Sequence, residues 1–257
     1  MLVSHDIAVA VVVVVWIPSI LLLDVNSGVW HQRALGVFTW IVLVLLLRSE
    51  SSATRAQIAV VVAFATVVEY AFSPTLGVYT YRLHNVPAFV PPGHGLVYLG
   101  ALALGRSRLF GAARGVLVAG TVVIGGVYSF WGLFLSGRPD ALGAFWFGCL
   151  VLFLWRGRQP LVYVGAFLIV TYLEQLGTAL GTWAWSSHDP TGLVSMGNPP
   201  SGAAGGYGFF DAAALAAAPA IMVVIRRCRA GNSDGNPEFR TKDAPRRSEC
   251  GQRPPLA

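Results

Sequence analysis

Two stretches of this chain, about 105 residues apart, spell nearly the same apolar segment, and each is followed in the next apolar segment by a glutamate. Ala34-Leu35-Gly36-Val37-Phe38 through Leu47 returns as Ala141-Leu142-Gly143-Ala144-Phe145 through Leu154, identical at eight of fourteen positions. Thr66-Val67-Val68-Glu69 returns as Thr171-Tyr172-Leu173-Glu174. Beyond each Glu come a glycine and alternating aromatics, Gly77-Val78-Tyr79-Thr80-Tyr81 and Gly181-Thr182-Trp183-Ala184-Trp185, and then a double proline, Pro91-Pro92 or Pro199-Pro200. A charge in hydrocarbon costs on the order of 3 kcal/mol on insertion scales, so an intramembrane acid that occurs twice is a functional hypothesis by default.

The hydrocarbon setting follows from composition. Of 257 residues 55% are hydrophobic and 12% charged, and the mean hydropathy is +0.62, which a soluble domain of this length does not show. Stretches long enough to cross a bilayer fall at 7–24, 29–47, 57–73, 93–105, 115–135, 139–155, 160–181 and 206–225. The expected fold is therefore an all-α, polytopic integral membrane protein of eight transmembrane helices. The net charge of +6 raises the question of nucleic acid, but the basic residues sort by side of the membrane. One face carries Arg48, Arg55, Arg106, Arg108, Arg114, Arg156, Arg158, Arg226, Arg227 and Arg229; the other has Arg33, Arg82 and Arg138. This bias places both termini in the cytoplasm of a cell-membrane protein and removes the nucleic-acid reading.

Met1 to Asp24 lacks a basic leading region and reads as a first span, not a cleaved signal peptide. Residues 230–257, rich in Asn, Asp, Pro, Arg and Ser, read as a disordered cytoplasmic tail. Cys149, Cys228 and Cys250 are scattered, and no His pair has helical spacing, so neither a disulfide framework nor a metal or other cofactor is expected.

Four helices per copy is an even number, so residues 1–110 and 111–229 should be two four-helix repeats of like orientation, a parallel tandem duplication. In each the third helix runs outward and ends near the glycine and aromatic pair, ahead of a long outer loop. Setting Gly95 on Gly208 aligns His94 with Tyr207 and Tyr98 with Asp211. His94 and Asp211 then stand within the first turn or two of helices that begin on the outer side, at a height similar to Glu69 and Glu174.

Each of these groups has a plainer use. A carboxyl group bonded between helices could simply hold the repeats together, at ~1 kcal/mol. Asp211 and His94 could be solvated residues at helix starts, and Tyr79, Tyr81, Trp183 and Trp185 an interfacial aromatic belt. Yet a period of two does not suit a helix face, so the aromatic segments are expected to be extended and tucked inward as the lid of a cavity. Acids that exchange protons, with aromatic faces that stabilise cations, are the equipment for protonating an alkene and guiding the carbocation. Glu69, Glu174, Asp211 and His94 are the candidate catalytic groups; Tyr79, Tyr81, Trp183, Trp185, Tyr98 and Tyr207 are the candidate substrate contacts. The sole lysine, Lys242, lies in the tail, which removes a Schiff base, and no Walker loop or Gly-x-Ser-x-Gly elbow occurs.

The run from Glu69 through Gly77-Val78-Tyr79-Thr80-Tyr81 to Val86-Pro87 and Pro91 resembles the membrane proteins of carotenoid biosynthesis, in which a helix-borne Glu precedes a Gly-x-Tyr-x-Tyr segment. The tandem of helical units with paired acids is similar to the integral-membrane lycopene and meroterpenoid cyclases, although the Pro-x-Glu-Glu signature of the lycopene cyclases is missing. The resemblance implies an isoprenoid substrate, with Glu69, Glu174 and Asp211 as the acids.

Three functions remain open at this point. One is a membrane-embedded enzyme acting on a lipid or isoprenoid substrate, a cyclase or isomerase; another is a proton-coupled transporter or lipid flippase. The third is a non-catalytic subunit, or a homo-oligomer, packing through Gly115, Gly120, Gly125 and Gly126.

Overall fold

A computed structural model describes residues 4–233 of the chain. It is mostly helical. Helices α1 (His5–Asp24), α2 (Val29–Leu47) and α3 (Ser52–Tyr70) come first, and α3 is extended by a π-helical turn, Ala71–Thr75. Strand β1 (Tyr79–Tyr81) and α4 (Val90–Arg106) follow, then the short α5 (Arg108–Ala112). The order then recurs with α6 (Arg114–Phe130) and its π-helical turn Trp131–Leu135, α7 (Ala141–Arg156), α8 (Pro160–Ala179), β2 (Trp183–Trp185) and α9 (Ala203–Ser233).

Local chemistry sets several of these boundaries. Ser4, Ser51 and Asp140 cap α1, α3 and α7 by accepting from the backbone N–H of Ile7, Thr54 and Gly143. Pro91 and Pro92 occupy the first turn of α4, where a missing N–H costs no helical bond. Gly77 and Gly181 have φ of +64° and +68°, a left-handed conformation that lets the chain reverse from helix into strand.

Among the described residues six helices are long and apolar enough to cross a membrane: α1, α2, α3 with its π-turn, α6 with its π-turn, α8 and the first 21 residues of α9. The expected fourth and sixth spans correspond to α4 and α7, which have only 17 and 16 residues. α4 lies at the centre of the bundle against α1, α2, α3 and α8, with Leu96, Leu99 and Ala101 fully buried. Its lining of glycine, histidine and tyrosine reflects burial in protein in place of lipid. The expected start of the last span, 206, is also corrected. Residues from Ser201 onward pack tightly on α7, where a side chain at Gly202 or Gly205 would collide with the α7 backbone, so α9 begins at Ala203. It also runs past 230, the expected start of the tail; residues 234–257, with Lys242 and Cys250, lie outside the described residues.

The most extensive helix contacts are α4 with α8 and α3 with α9, so the fourth helix of each series packs on the third helix of the other. β1 and β2 pair antiparallel across the same centre, Tyr79 opposite Trp185 and Tyr81 opposite Trp183. The resulting two-stranded sheet roofs the space between the four helices.

Candidate active site

The period-two pattern of the aromatic segments governs the site. Alternate residues of a strand point to opposite faces. Tyr79, Tyr81, Trp183 and Trp185 are buried on the inner face of the sheet, whereas Thr80 and Ala184 are exposed on the outer one. All four polar tips reach a glutamate. The Tyr79 and Tyr81 hydroxyls donate to Glu69 Oε2 at 2.9 and 2.8 Å. The Trp183 and Trp185 indoles donate from Nε1 to Glu174 Oε2 at 3.0 and 3.1 Å. Burial and the adjacent Glu69 carboxylate push both phenols well above their usual pKa, which keeps them as donors. Neighbouring rings lock the arrangement, Tyr79 against Trp185 at 4.7 Å and Trp185 against Trp146 at 5.8 Å between centroids.

The remaining oxygens of the two acids differ. Glu69 Oε1 lies 2.8 Å from His94 Nε2 in a buried pair, and the His94 ring stacks on Tyr207 at 5.1 Å and 15°. His94 Nδ1 is buried without a partner among the described residues, and the dyad can hold one proton on either residue. Glu174 Oε1 accepts no hydrogen bond from the described residues and is not sealed from the surrounding space.

Glu69, Glu174 and His94 border a single cavity of about 580 Å³, together with Tyr79, Tyr81, Trp183, Trp185 and Tyr207. Most of the other walls are aliphatic and aromatic, with Trp16 and Ile20 from α1, Phe72 from the π-turn, Phe89 and Val97 near and on α4, Trp146 from α7 and Phe210 from α9, while Asp189 and Pro190 of the loop after β2 also line it. The volume lies in the range of small-molecule sites.

Two of the expected site residues stand apart. Asp211 and Tyr98 do not line the cavity. Asp211 is eight residues into α9, deeper than the expected first turn or two, because α9 starts earlier than its hydropathy indicates. It is buried, and its Oδ2 and the Tyr98 hydroxyl both lack partners among the described residues. The residues expected to align, His94 with Tyr207, are in contact. His84 and His188 are exposed in the loops that follow β1 and β2. Among the described residues no three His, Cys, Asp or Glu side chains gather as a metal site.

Sequence reasoning missed the groups that hold the roof. Arg138 donates to the carbonyl oxygens of Met196 (2.6 Å), Trp185 (2.7 Å) and Ser186. Asp140 accepts from the backbone N–H of Gly143 (2.9 Å), Gly197 (2.8 Å) and Ser201 (2.6 Å). Near β1, Arg82 donates to the carbonyl oxygens of Asp24 and Ser27, while Gln32 bonds Asp24 at 2.8 Å and Asn85 bonds Gln32 at 3.0 Å. The available signal was that Arg82 and Arg138 are two of only three arginines on the sparsely charged face.

Fold and site together define a helical protein with membrane-length helices and a buried two-carboxylate cavity under a sheet roof. Compared with known proteins, the chain matches no family model, no curated protein and no solved structure.

Proposed function

We propose that the protein is a membrane-embedded enzyme that acts by acid-base chemistry on a lipid-phase, isoprenoid-like substrate, for example in a proton-initiated cyclisation. The observation that carries this reading is that Glu69 and Glu174 face one apolar cavity, each oriented by two aromatic donors. The chain is read as eight spans, a parallel duplication of a four-helix unit, with the arginine-rich end and both termini in the cytoplasm. The repeated element order, the paired strands and the crossed packing of α3 on α9 and α4 on α8 support the duplication.

Glu174, with Oε2 held by two indoles, presents Oε1 as the proton donor. Its proton adds to one carbon of a terminal double bond, and the electron pair of a neighbouring double bond closes the ring on the cation left at the other carbon. The new cation lies between aromatic faces, where the ring quadrupoles favour it. Loss of a proton from an adjacent carbon to the Glu69–His94 dyad restores a double bond. One proton enters and one leaves, so the product is an isomer of the substrate, and no oxidant or reductant is required. Proton return from the dyad to Glu174 resets the site.

Buried aliphatic residues fill the inner half between α4 and α8, including Leu96, Leu99, Leu102, Val164 and Ala166. Tyr98, Tyr163 and Asp211 are also buried, but none of them lines the cavity, so none continues a proton path from the two glutamates. The test is mass spectrometry of lipids co-purified with wild type and with Glu69→Gln/Glu174→Gln, against membranes lacking the protein. An altered isoprenoid found with wild type alone is the expected result. An unaltered lipid held equally by both proteins overturns catalysis and turns the question to flux.

A further inference from the structure

The cavity does not treat its two flanks alike. On one, α1 packs against α4 and α8, and the residues it contributes to the wall, Trp16, Ile20 and Leu21, are all buried. The equivalent flank lies along α9 and α3, where α6 would be the covering helix. α6 packs instead on α7 and α8 and makes no substantial contact with α3 or α9. Four wall residues are exposed, and three of them, Phe64, Leu76 and Phe209, belong to α3, its π-turn region and α9; the fourth is Pro190 of the outer loop. Phe64, Val68, Phe72 and Leu76 recur every fourth residue, forming one apolar stripe that leads from the lipid-facing surface to the cavity. At its inner end the stripe is closed by the edge-to-face contact of Phe64 with Phe210, 5.2 Å between centroids.

We infer that the cavity is loaded sideways from the bilayer, between the outer half of α3 and the start of α9, by one end of a linear apolar chain. This rests on the lipid-phase substrate proposed above and adds its route. The occupant is a chain and not a compact lipid, since the opening is a stripe of single side chains that ends at the two acids. The remainder of a long chain stays in the bilayer. Only the end group then meets Glu69 and Glu174, which confines the chemistry to the terminus.

The route is tested by loading, not turnover. The protein is reconstituted in lipid nanodiscs, and all-trans-retinol is added as a linear polyene that accepts tryptophan emission from the cavity. Leu76→Trp and Val68→Phe both add bulk at the opening. Gly206→Ala, whose new methyl would meet only the Trp146 ring at 3.4 Å, controls for a change elsewhere in the wall. Val127→Phe, on the exposed face of α6, controls for surface bulk. The two obstructing variants should load at least about tenfold more slowly than wild type, because the step before binding is obstructed. Gly206→Ala, Val127→Phe and Glu69→Gln/Glu174→Gln should load at the wild-type rate. Wild-type loading in both obstructing variants would overturn the route, as would a dimer closed over α3 and α9 in the nanodisc. Side-loading with no altered lipid from wild type would sink the catalytic reading and leave the route standing; unchanged product formation in the obstructing variants would do the reverse.

Discussion

Around Glu69 the donors are two phenols and an imidazole; around Glu174 they are two indoles. The scaffold is otherwise alike, with a helix-borne acid, a glycine of positive φ and a three-residue strand on each side. A phenol or imidazole can both give and take a hydrogen bond, whereas an indole N–H can only donate. Glu174 Oε2 is therefore committed as an acceptor, and a proton on that group belongs on Oε1. At Glu69 every oxygen is engaged and a second titratable ring is in contact. The sequence repeat thus places two buried acids in one cavity, and on the proposed reading the donor chemistry of the roof separates their roles into proton donor and proton acceptor.

Removing each acid in turn tests that division most severely. Glu174→Gln should lower turnover by roughly a thousandfold, since the proton donor is lost. Glu69→Gln should cost about a hundredfold, because His94 remains as an acceptor. Both amides keep an oxygen for the roof donors, so folding, followed by size exclusion and thermal melting, should be unchanged. Equal losses in the two variants would show that the halves are not specialised.

The roof donors sharpen the comparison through stability. Trp183→Phe/Trp185→Phe removes both bonds to Glu174 and leaves a buried carboxyl group with no donor, a cost of about 1–3 kcal/mol. Tyr79→Phe/Tyr81→Phe should cost less, because His94 still bonds Glu69. Denaturant unfolding in mild detergent would rank the two pairs, and the reverse order would contradict the reading of His94 as a partner of Glu69.

The first half also carries an ion cluster at the basic end, far from the cavity. Arg106 bonds both oxygens of Glu50, at 3.0 and 2.9 Å, and reaches Asp6 at 3.1 Å. Burial works to raise the Glu50 pKa, but the bonds and charge of Arg106, with His5, hold it below its usual value. A carboxyl group lowered in the folded state stabilises above its unfolded pKa, and the contribution is lost as pH falls through the folded value. The melting temperature should therefore drop on acidification below roughly pH 4.5, and Glu50→Gln should flatten that part of the profile. An unchanged profile in Glu50→Gln would remove the ion cluster from the account.

Much of the site was legible in the sequence because it is local and repeated. The glutamates, the glycines and the period-two aromatics lie within some ten residues of one another, and the expected extended segments are the observed strands. The crossing of the two strands was not legible, since Tyr79 meets Trp185 across more than a hundred residues. Asp140 and Arg138 escaped notice because their partners are backbone groups some 47–61 residues away, which leave no side-chain pattern. Hydropathy under-read α4 for a physical reason, as a helix enclosed by protein need not be as apolar as one facing lipid. It also misjudged the depth of Asp211, because Gly202 and Gly205 act as close-packing residues against α7 and not as loop glycines. That α1 covers its flank and α6 does not could not be read from two plain apolar helices.

The most direct measurement is the origin of one hydrogen in the product. Wild type, Glu69→Gln and Glu174→Gln would be incubated in heavy water with a membrane extract containing linear polyprenyl hydrocarbons, and the isomerised lipid weighed by mass spectrometry. The account predicts a product carrying a single deuterium from wild type, the same label in the residual product of Glu69→Gln, and essentially no product from Glu174→Gln. Unlabelled product from wild type, or labelled product from Glu174→Gln at the wild-type rate, would contradict it.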